Sequence, residues 1–298
     1  MIELIDIPLP HGITLSCRVS GPKGAPVIIF LHGFPEAAFV WDETLAHFSS
    51  RYRCIAPNLR GYERSSAPTE VAAYRPKHLV GDILALAATQ GTGPIEALVA
   101  HDWGGAVAWN LAAQHPDALR RLVIFNSPHP ATFLRELQNN PEQQAASAYM
   151  NEMQEPDAEA RLSANGFEHL FGVLTAMGNT HPTTWLTEEL KDTYRAIWSQ
   201  GLSGPVNYYR ASPLRPPLSP TDPVMALQFP IEFVKVRVPT RVVWGEDDRA
   251  LRPSLLNGLE AYVPQLTVVR IPGATHWLIH EQPGLAAREI EAALKDGR

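Results

Sequence analysis

The stretch "IEALVAHDWGGAVAWNLAAQHP", residues 95–116, decides how the chain folds around its most reactive candidate group. It begins with an apolar run typical of a buried strand and continues with a pattern typical of a helix. Asp102 stands between them, with Ala100 two residues before it and Gly104 two residues after it. Small residues at these positions let a strand break sharply into a helix and expose the residue at the apex. The stretch therefore predicts a nucleophile turn in which a carboxylate stands where most such chains have serine.

Asp102 has a second interpretation as a simple helix N-cap, because aspartate is common at that position. The start of a helix favours an anion in either case, through its free N–H groups and its dipole. The choice between cap and nucleophile therefore depends on partners elsewhere in the chain.

Strand-like and helical segments alternate on both sides of this turn. The strand-like runs are VIIFL, YRCIA, IEALVA and LVIF before residue 128, and TRVVWG and LTVVRI after residue 239. Helices are predicted over 78–89, where Leu79, Ile83 and Leu86 share a face, over 284–295, and between the last two strands. Such alternation predicts a mostly parallel sheet covered by helices on both faces.

The middle of the chain has a different pattern, since residues 130–225 contain no convincing strand. Apolar side chains recur there at helical intervals, at Phe167, Leu170, Phe171 and Leu174. Five prolines between 213 and 223 are typical of a linker. We therefore expect core residues 1–129, a helical cap over 130–225, and the rest of the core over 226–298.

Two later strands end next to residues that could activate a nucleophile. TRVVWG is followed by Asp247 and Asp248, and LTVVRI by His276 after a short Pro-Gly turn. A nucleophile needs a base, and the base needs a partner that orients it. We prefer Asp248, three residues after Gly245, and prefer His276 to His280, which lies deeper in the following segment. Nucleophile, acid and histidine then follow the chain order typical of such turns.

Other polar residues near these motifs are not assigned to the catalytic set. Asn126 and Ser127 stand after LVIF, where a carboxylate would have been another possible partner for the histidine. His32 and Glu36 are expected to shape a loop, and His101 to support the turn.

Composition limits the partners. The formal net charge is −6, and the 25 Lys and Arg residues are scattered, which argues against nucleic acid or an anionic membrane surface. Cys17 and Cys54 lack metal-ligand spacing and are expected to be buried thiols. We expect a small-molecule substrate, no cofactor and no metal, in a monomer or homodimer. Without a basic N-terminal region or an apolar run of about 18 residues, the expected location is cytoplasmic.

Taken together, the motifs resemble the epoxide hydrolases of the α/β-hydrolase fold. The resemblance is carried by HGFPE (32–36), RGYERSSAP (60–68), HDWGG (101–105), WGEDD (244–248), GATHW (273–277) with EQP (281–283), and NYYR (207–210). It spans nearly the whole chain and is weaker over 130–225. It implies a mostly parallel eight-stranded sheet flanked by helices, with an inserted helical cap.

The resemblance also implies roles for individual residues. Asp102 would be the nucleophile, His276 the base and Asp248 its partner, while the backbone N–H groups of Phe34 and Trp103 would form the oxyanion hole. Such enzymes place two cap tyrosines over the nucleophile. Tyr209 matches one through NYYR, and Tyr149 is the best match for the other, with Tyr208 and Tyr194 as possible substitutes.

The chemistry explains why these residue types belong together. A carboxylate with an ordinary pKa of about 3.9 is already ionised and can attack an sp³ carbon to form an alkyl ester. The ring oxygen of an epoxide then needs an acid, and tyrosine can supply the proton. Water activated by His276, with Asp248 holding the ring, would hydrolyse the ester. The implied reaction converts a small apolar epoxide and water to a vicinal diol.

Two alternatives remain open at this point. A haloalkane or haloacid dehalogenase shares the fold and the nucleophile, and the Trp103 indole could hold a halide. However, Phe34 stands where haloalkane dehalogenases often carry a halide-binding Asn, and fluoroacetate-type enzymes usually have Arg in place of Trp103. A non-catalytic ligand-binding protein of this fold is disfavoured because the Asp102, Asp248 and His276 set is complete. Six side chains could line an apolar pocket, although at helical spacing most are expected to pack in the core of the cap: Phe133, Met150, Met153, Phe167, Phe171 and Trp185.

Overall fold

The computed structural model describes residues 1–91, 93–177 and 185–295, and an eight-stranded sheet forms its centre. The strands are β1 Glu3–Pro8, β2 Thr14–Ser20, β3 Val27–Leu31, β4 Arg53–Pro57, β5 Ala97–His101, β6 Leu122–Phe125, β7 Thr240–Gly245 and β8 Leu266–Ile271. Their order in the sheet is β1-β2-β4-β3-β5-β6-β7-β8. β2 pairs antiparallel with both of its neighbours, and the other pairs are parallel. The predicted mostly parallel, eight-stranded sheet is confirmed.

Helices cover both faces of the sheet, because its central strands alternate apolar side chains between two cores. In β3, Ile28 and Phe30 face one core, and Ile29 and Leu31 face the other. The first core is covered by α1 (Asp42–Phe48) and α13 (Pro283–Lys295), and the second by α2 (Pro76–Ala88) and α3 (Asp102–Gln114). The helices predicted over 78–89 and 284–295 are thus α2 and α13.

Between β6 and β7, the described residues form helices and irregular chain and no strand. The helices are α4 Pro130–Asn139, α5 Pro141–Ala146, α6 Tyr149–Glu152, α7 Ala158–Ala176, α8 Glu188–Trp198, α9 Ser203–Ala211, α10 Pro223–Ala226 and α11 Ile231–Val234. One further short helix, α12 (Leu278–Glu281), precedes α13. The inserted helical cap is confirmed, and its boundaries at 130 and 225 stay predictions.

Two helical predictions were wrong in detail. The segment between β7 and β8 forms two short 3₁₀ turns, Pro253–Leu256 and Leu259–Ala261, because Gly258 with φ +72° interrupts any longer helix. In the cap, α7 is broken at 164–167, so Phe167 lies at the break and not on a continuous helical face. Leu170 and Leu174, beyond the break, are buried.

The cap helix α9 is fixed against the loop that follows β4. A Cβ atom on Gly204 would lie 2.4 Å from the Cα atom of Gly61, so the two backbones meet at a distance that excludes any side chain. The Tyr208 hydroxyl donates a hydrogen bond of 2.9 Å to the carbonyl of Arg60. These contacts set the position of Tyr209, the next residue of α9.

Cys17 and Cys54 are free and buried, as predicted. Burial raises the pKa of each thiol to about 12. Among the helices of the described residues, none combines the length and the apolar character needed to cross a bilayer.

Candidate active site

Asp102 lies at a strained turn between β5 and α3. Its φ is +48°, a left-handed conformation that non-glycine residues adopt rarely and mostly at functional sites. A Cβ atom on Gly104 would lie 2.6 Å from the carbonyl oxygens of Leu31 and His32, so only glycine lets α3 start this close to β3. The small residue that the sequence pattern required two positions after Asp102 is thus explained by backbone packing.

The two carboxylate oxygens of Asp102 have different surroundings. Oδ1 accepts a hydrogen bond of 2.7 Å from the backbone N–H of Phe34, and Oδ2 lies 3.7 Å from Nε2 of His276. A simple N-cap would bond to N–H groups of its own helix, whereas this side chain bonds to the loop after β3. The backbone N–H of Trp103 follows in the first turn of α3, where N–H groups have no partner within the helix.

His276 and Asp248 form a buried pair next to this carboxylate. Nδ1 of His276 bonds to Oδ2 of Asp248 at 2.8 Å. The other oxygen of Asp248 accepts from the backbone N–H groups of Ala250 and Leu251, at 2.9 and 2.8 Å. The carboxylate is therefore held on both sides: Oδ1 accepts from the backbone, and Oδ2 contacts the imidazole.

The charges around His276 decide its protonation. Burial by itself lowers its pKa, but the charge and hydrogen bond of Asp248, together with Asp102 and Glu36, outweigh burial and raise the pKa to about 9. The ring is therefore charged at neutral pH as long as both aspartates are ionised.

Tyr149 and Tyr209 face the same cavity as Asp102. Their rings stand nearly perpendicular at 6.1 Å, and the ring of Tyr209 also packs edge-on against Phe34 at 5.3 Å and Trp103 at 5.0 Å. Burial raises the pKa of both hydroxyls, and the negative charge of Asp102 adds to the rise. Both tyrosines are therefore neutral and able to donate at ordinary pH.

The substitutes considered for these tyrosines are occupied elsewhere. The hydroxyl of Tyr208 is bound to the Arg60 carbonyl, and that of Tyr194 lies 3.5 Å from Oε1 of the buried Glu36. Among the described residues, no protein group accepts a hydrogen bond from the Tyr149 hydroxyl. The Tyr149 hydroxyl, unlike that of Tyr208, is therefore not engaged by a described protein group.

The cavity encloses about 310 Å³, at the small end of the range for ligand pockets. Of the described residues that line it, Asp102 is the one that carries a charge. Its apolar wall includes Leu79, Val107, Pro128, Phe133, Met150 and Leu214. Of the six side chains considered for such a pocket, Phe133 and Met150 line it, and Met153, Phe167, Phe171 and Trp185 are not among its lining residues. The space suits a small, neutral, mostly apolar molecule.

A second carboxylate and histidine network lies behind His276. Glu36 is fully buried and bonds to Nδ1 of His101 at 3.0 Å and to the ring of His280. Nε2 of His101 donates to the backbone carbonyl of His276 at 2.9 Å. His280 thus pairs with Glu36, and it is His276 that faces Asp102. Glu36 and His101 do more than shape a loop and a turn, because they also support the backbone of His276.

Asn126 and Ser127 contact the site, although no motif in the sequence predicted a function for them. Nδ2 of Asn126 donates to Oδ2 of Asp248 at 2.7 Å, and its Oδ1 accepts from the backbone N–H of Gly245 at 3.1 Å. The hydroxyl of Ser127 donates to the carbonyl of Asp102 at 2.6 Å. Their position directly after a central strand was the available signal, because parallel strands end at the same edge of the sheet.

Comparisons with known proteins identify the family of the chain. The model of the alpha/beta hydrolase fold family matches residues 26–283. The AB hydrolase superfamily protein YfhM of Bacillus subtilis is 34% identical over 96% of both chains. Epoxide hydrolase 3 of Xenopus tropicalis is 33% identical over 96% of this chain and 76% of its own length. A solved epoxide hydrolase structure from hot-environment metagenomes is 39% identical, with a TM-score of 0.87 over 99% of both chains. The chain therefore belongs to the α/β-hydrolase fold family and, within it, to the epoxide hydrolases.

Proposed function

We propose that this chain hydrolyses a small, neutral epoxide to a vicinal diol through a covalent ester on Asp102. The observation that carries the proposal is the shared cavity: the hydroxyl groups of two tyrosines and the carboxyl group of Asp102 face one apolar space. A carboxylate supplies the nucleophile for an sp³ carbon, and a tyrosine hydroxyl supplies the acid that the ring oxygen needs.

In the first step, an oxygen of Asp102 attacks an epoxide carbon. Oδ2 is the attacking atom, since Oδ1 is bound to the Phe34 N–H at 2.7 Å. The new C–O bond forms as the C–O bond of the ring breaks, and the released oxygen takes a proton from Tyr149 or Tyr209. The product is a hydroxyalkyl ester of Asp102 and a tyrosinate.

In the second step, His276 removes a proton from water, and the hydroxide attacks the ester carbon of Asp102. Negative charge develops on Oδ1, next to the N–H groups of Phe34 and Trp103, and such a donor contributes about 3–4 kcal/mol in comparable enzymes. The departing alkoxide takes the proton from His276. The regenerated carboxyl group returns its proton to the tyrosinate, so that water has been added overall.

Formation of the ester also prepares His276 for this role. A charged imidazole cannot act as a base, and two aspartates raise its pKa to about 9 in the free protein. Ester formation moves the negative charge from Asp102, 3.7 Å from Nε2 of His276, to a tyrosinate, so the part of the pKa rise that Asp102 causes is lost when the base is needed. Ester hydrolysis therefore accelerates as pH rises through the pKa of His276 in the intermediate.

Replacing both Tyr149 and Tyr209 by phenylalanine is expected to lower kcat/KM on styrene oxide by at least ~10³-fold, because the ring oxygen then leaves without an acid. A halide needs no proton, so any turnover of 1-bromobutane or bromoacetate would change much less. Assays of wild type and the double variant on these substrates side by side measure both effects.

The control for this pair is Tyr52→Phe, because Tyr52 packs against Phe48 in the core on the other face of the sheet. We expect it to keep its activity. A dehalogenase would be indicated if wild type used the halides well and styrene oxide poorly, and if the double variant kept that preference.

The charge of the cavity predicts a preference for neutral substrates. An epoxide that carries a carboxylate would lie near Asp102 without a cationic partner among the described lining residues. We expect kcat/KM for 3-phenylglycidate to be at least ~10-fold below that for 3-phenylglycidamide, its neutral match in size. Equal values for the two would contradict the predicted exclusion of anions.

A further inference from the structure

Gln143 in α5 is a fully buried amide whose polar atoms bond to two different segments. Its Nε2 donates to the carbonyl of Ala250 and to the hydroxyl of Ser147, both at 2.8 Å. Its Oε1 accepts from the backbone N–H of Arg252 at 3.0 Å. A buried amide that makes all of these hydrogen bonds is held rigidly, and breaking any of them costs free energy.

One hydrogen bond of the Gln143 amide reaches the loop that holds Asp248. Ala250 donates its N–H to Oδ1 of Asp248 at 2.9 Å and gives its carbonyl to Gln143. The same peptide segment therefore binds the carboxylate on one side and the cap on the other. Residues 248–252 belong to no helix or strand, so side-chain bonds are needed to fix their position.

A second hydrogen bond of the Gln143 amide reaches the segment that carries Tyr149. Ser147 lies two residues before Tyr149, in the short link between α5 and α6. Its backbone N–H donates to the carbonyl of Gln143, and its hydroxyl accepts from the Gln143 side chain. The side-chain amide of Gln143 thus connects the loop that holds Asp248 with the cap segment that carries Tyr149.

We propose that Gln143 is a positioning residue that aligns Asp248 and Tyr149 with each other, so that both chemical steps depend on it. This inference rests on the proposed function, because it takes Tyr149 as an acid in ring opening and Asp248 as the partner of the base. Displacement of a catalytic group by about 1 Å can cost ~10²-fold in rate.

The test is Gln143→Met, which keeps the length of the side chain and removes its hydrogen bonds. Single-turnover experiments with styrene oxide measure ester formation and ester hydrolysis separately, over a range of pH. We expect both rate constants to fall by about 10-fold. Because a displaced Asp248 raises the pKa of His276 less, the pH at which hydrolysis reaches half its maximum should also move down.

The shift of the pH profile separates positioning from lost stability. A variant that only unfolds more easily loses active protein equally at every pH within its stable range, and its profile keeps the same midpoint. The matched control is Gln144→Met on the same helix, whose amide donates to the carbonyl of Leu137 and not to the loop of Asp248. We expect this control to keep both rate constants.

Ser147→Ala removes only the hydrogen bond from Gln143 to the segment that carries Tyr149. It should therefore slow ester formation more than ester hydrolysis. Rate constants within twofold of wild type in both Gln143→Met and Ser147→Ala, with an unmoved pH profile, would overturn the inference about Gln143. If Gln143→Met does not fold, equal slowing of the two steps in Ser147→Ala would overturn it instead. A different result, the absence of any ester in the wild-type experiments, would contradict the proposed function.

Discussion

Asp102→Ala is expected to abolish turnover of styrene oxide, with kcat/KM lowered by at least ~10⁴-fold. The structure gives two reasons. Oδ1 is held by the Phe34 N–H at 2.7 Å, which leaves Oδ2 directed toward the substrate side and His276. Alanine leaves no atom that could form the ester, and water would have to attack the epoxide without it. The rate of diol formation, monitored by chromatography, measures the loss of kcat/KM.

The matched control is Asp42→Ala, because Asp42 is also an aspartate at the first position of a helix, α1. Asp42 forms a half-buried ion pair with Arg18, at 2.6 Å between Nη2 and Oδ2. We expect this variant to keep its activity and to lose at most about 1 kcal/mol of stability. If Asp102→Ala behaved in the same way, with normal turnover, Asp102 would be a helix cap and the nucleophile would have to be found elsewhere.

The parts of the fold that sequence predicted well are those set by local pattern. VIIFL and LVIF coincide with β3 and β6 because a strand covered on both faces is a continuous apolar run. Asp248 and His276 could be placed because each follows a strand, and parallel strands bring their ends together. The pattern of strands and turns therefore places the candidate triad at one edge of the sheet, while the contacts in the structure distinguish His276 from His280.

The supporting contacts were beyond prediction because they join residues far apart in sequence. Asn126 and Asp248 are separated by 122 residues, and Gln143 and Ala250 by 107. Such bonds depend on how the cap and the loops pack, which leaves no periodic signal along the chain. The need for glycine at 204 was beyond prediction for the same reason, since it arises because Gly61 lies against that position.

His276→Gln is expected to stop the reaction halfway, with the ester on Asp102 accumulating to about one per protein chain. Ester formation needs an ionised Asp102 and a neutral tyrosine, and neither depends on an imidazole base. Hydrolysis needs a base close to Asp102, where His276 Nε2 lies 3.7 Å from Oδ2. Removal of such a base costs ~10³-fold or more. Mass spectrometry of the peptide that contains Asp102 should show the added mass of one substrate molecule.

Two further variants make this result decisive. His280→Gln should not trap an ester, because His280 pairs with Glu36 and not with Asp102. The combination of His276→Gln with Asp102→Ala should show no added mass, which places the adduct on Asp102. If His276→Gln lost turnover and carried no adduct, water would attack the epoxide directly with His276 as base, and Asp102 would act only through its charge. The covalent route requires the opposite: an adduct that forms as fast as the wild-type ester and then persists because no base removes a proton from water.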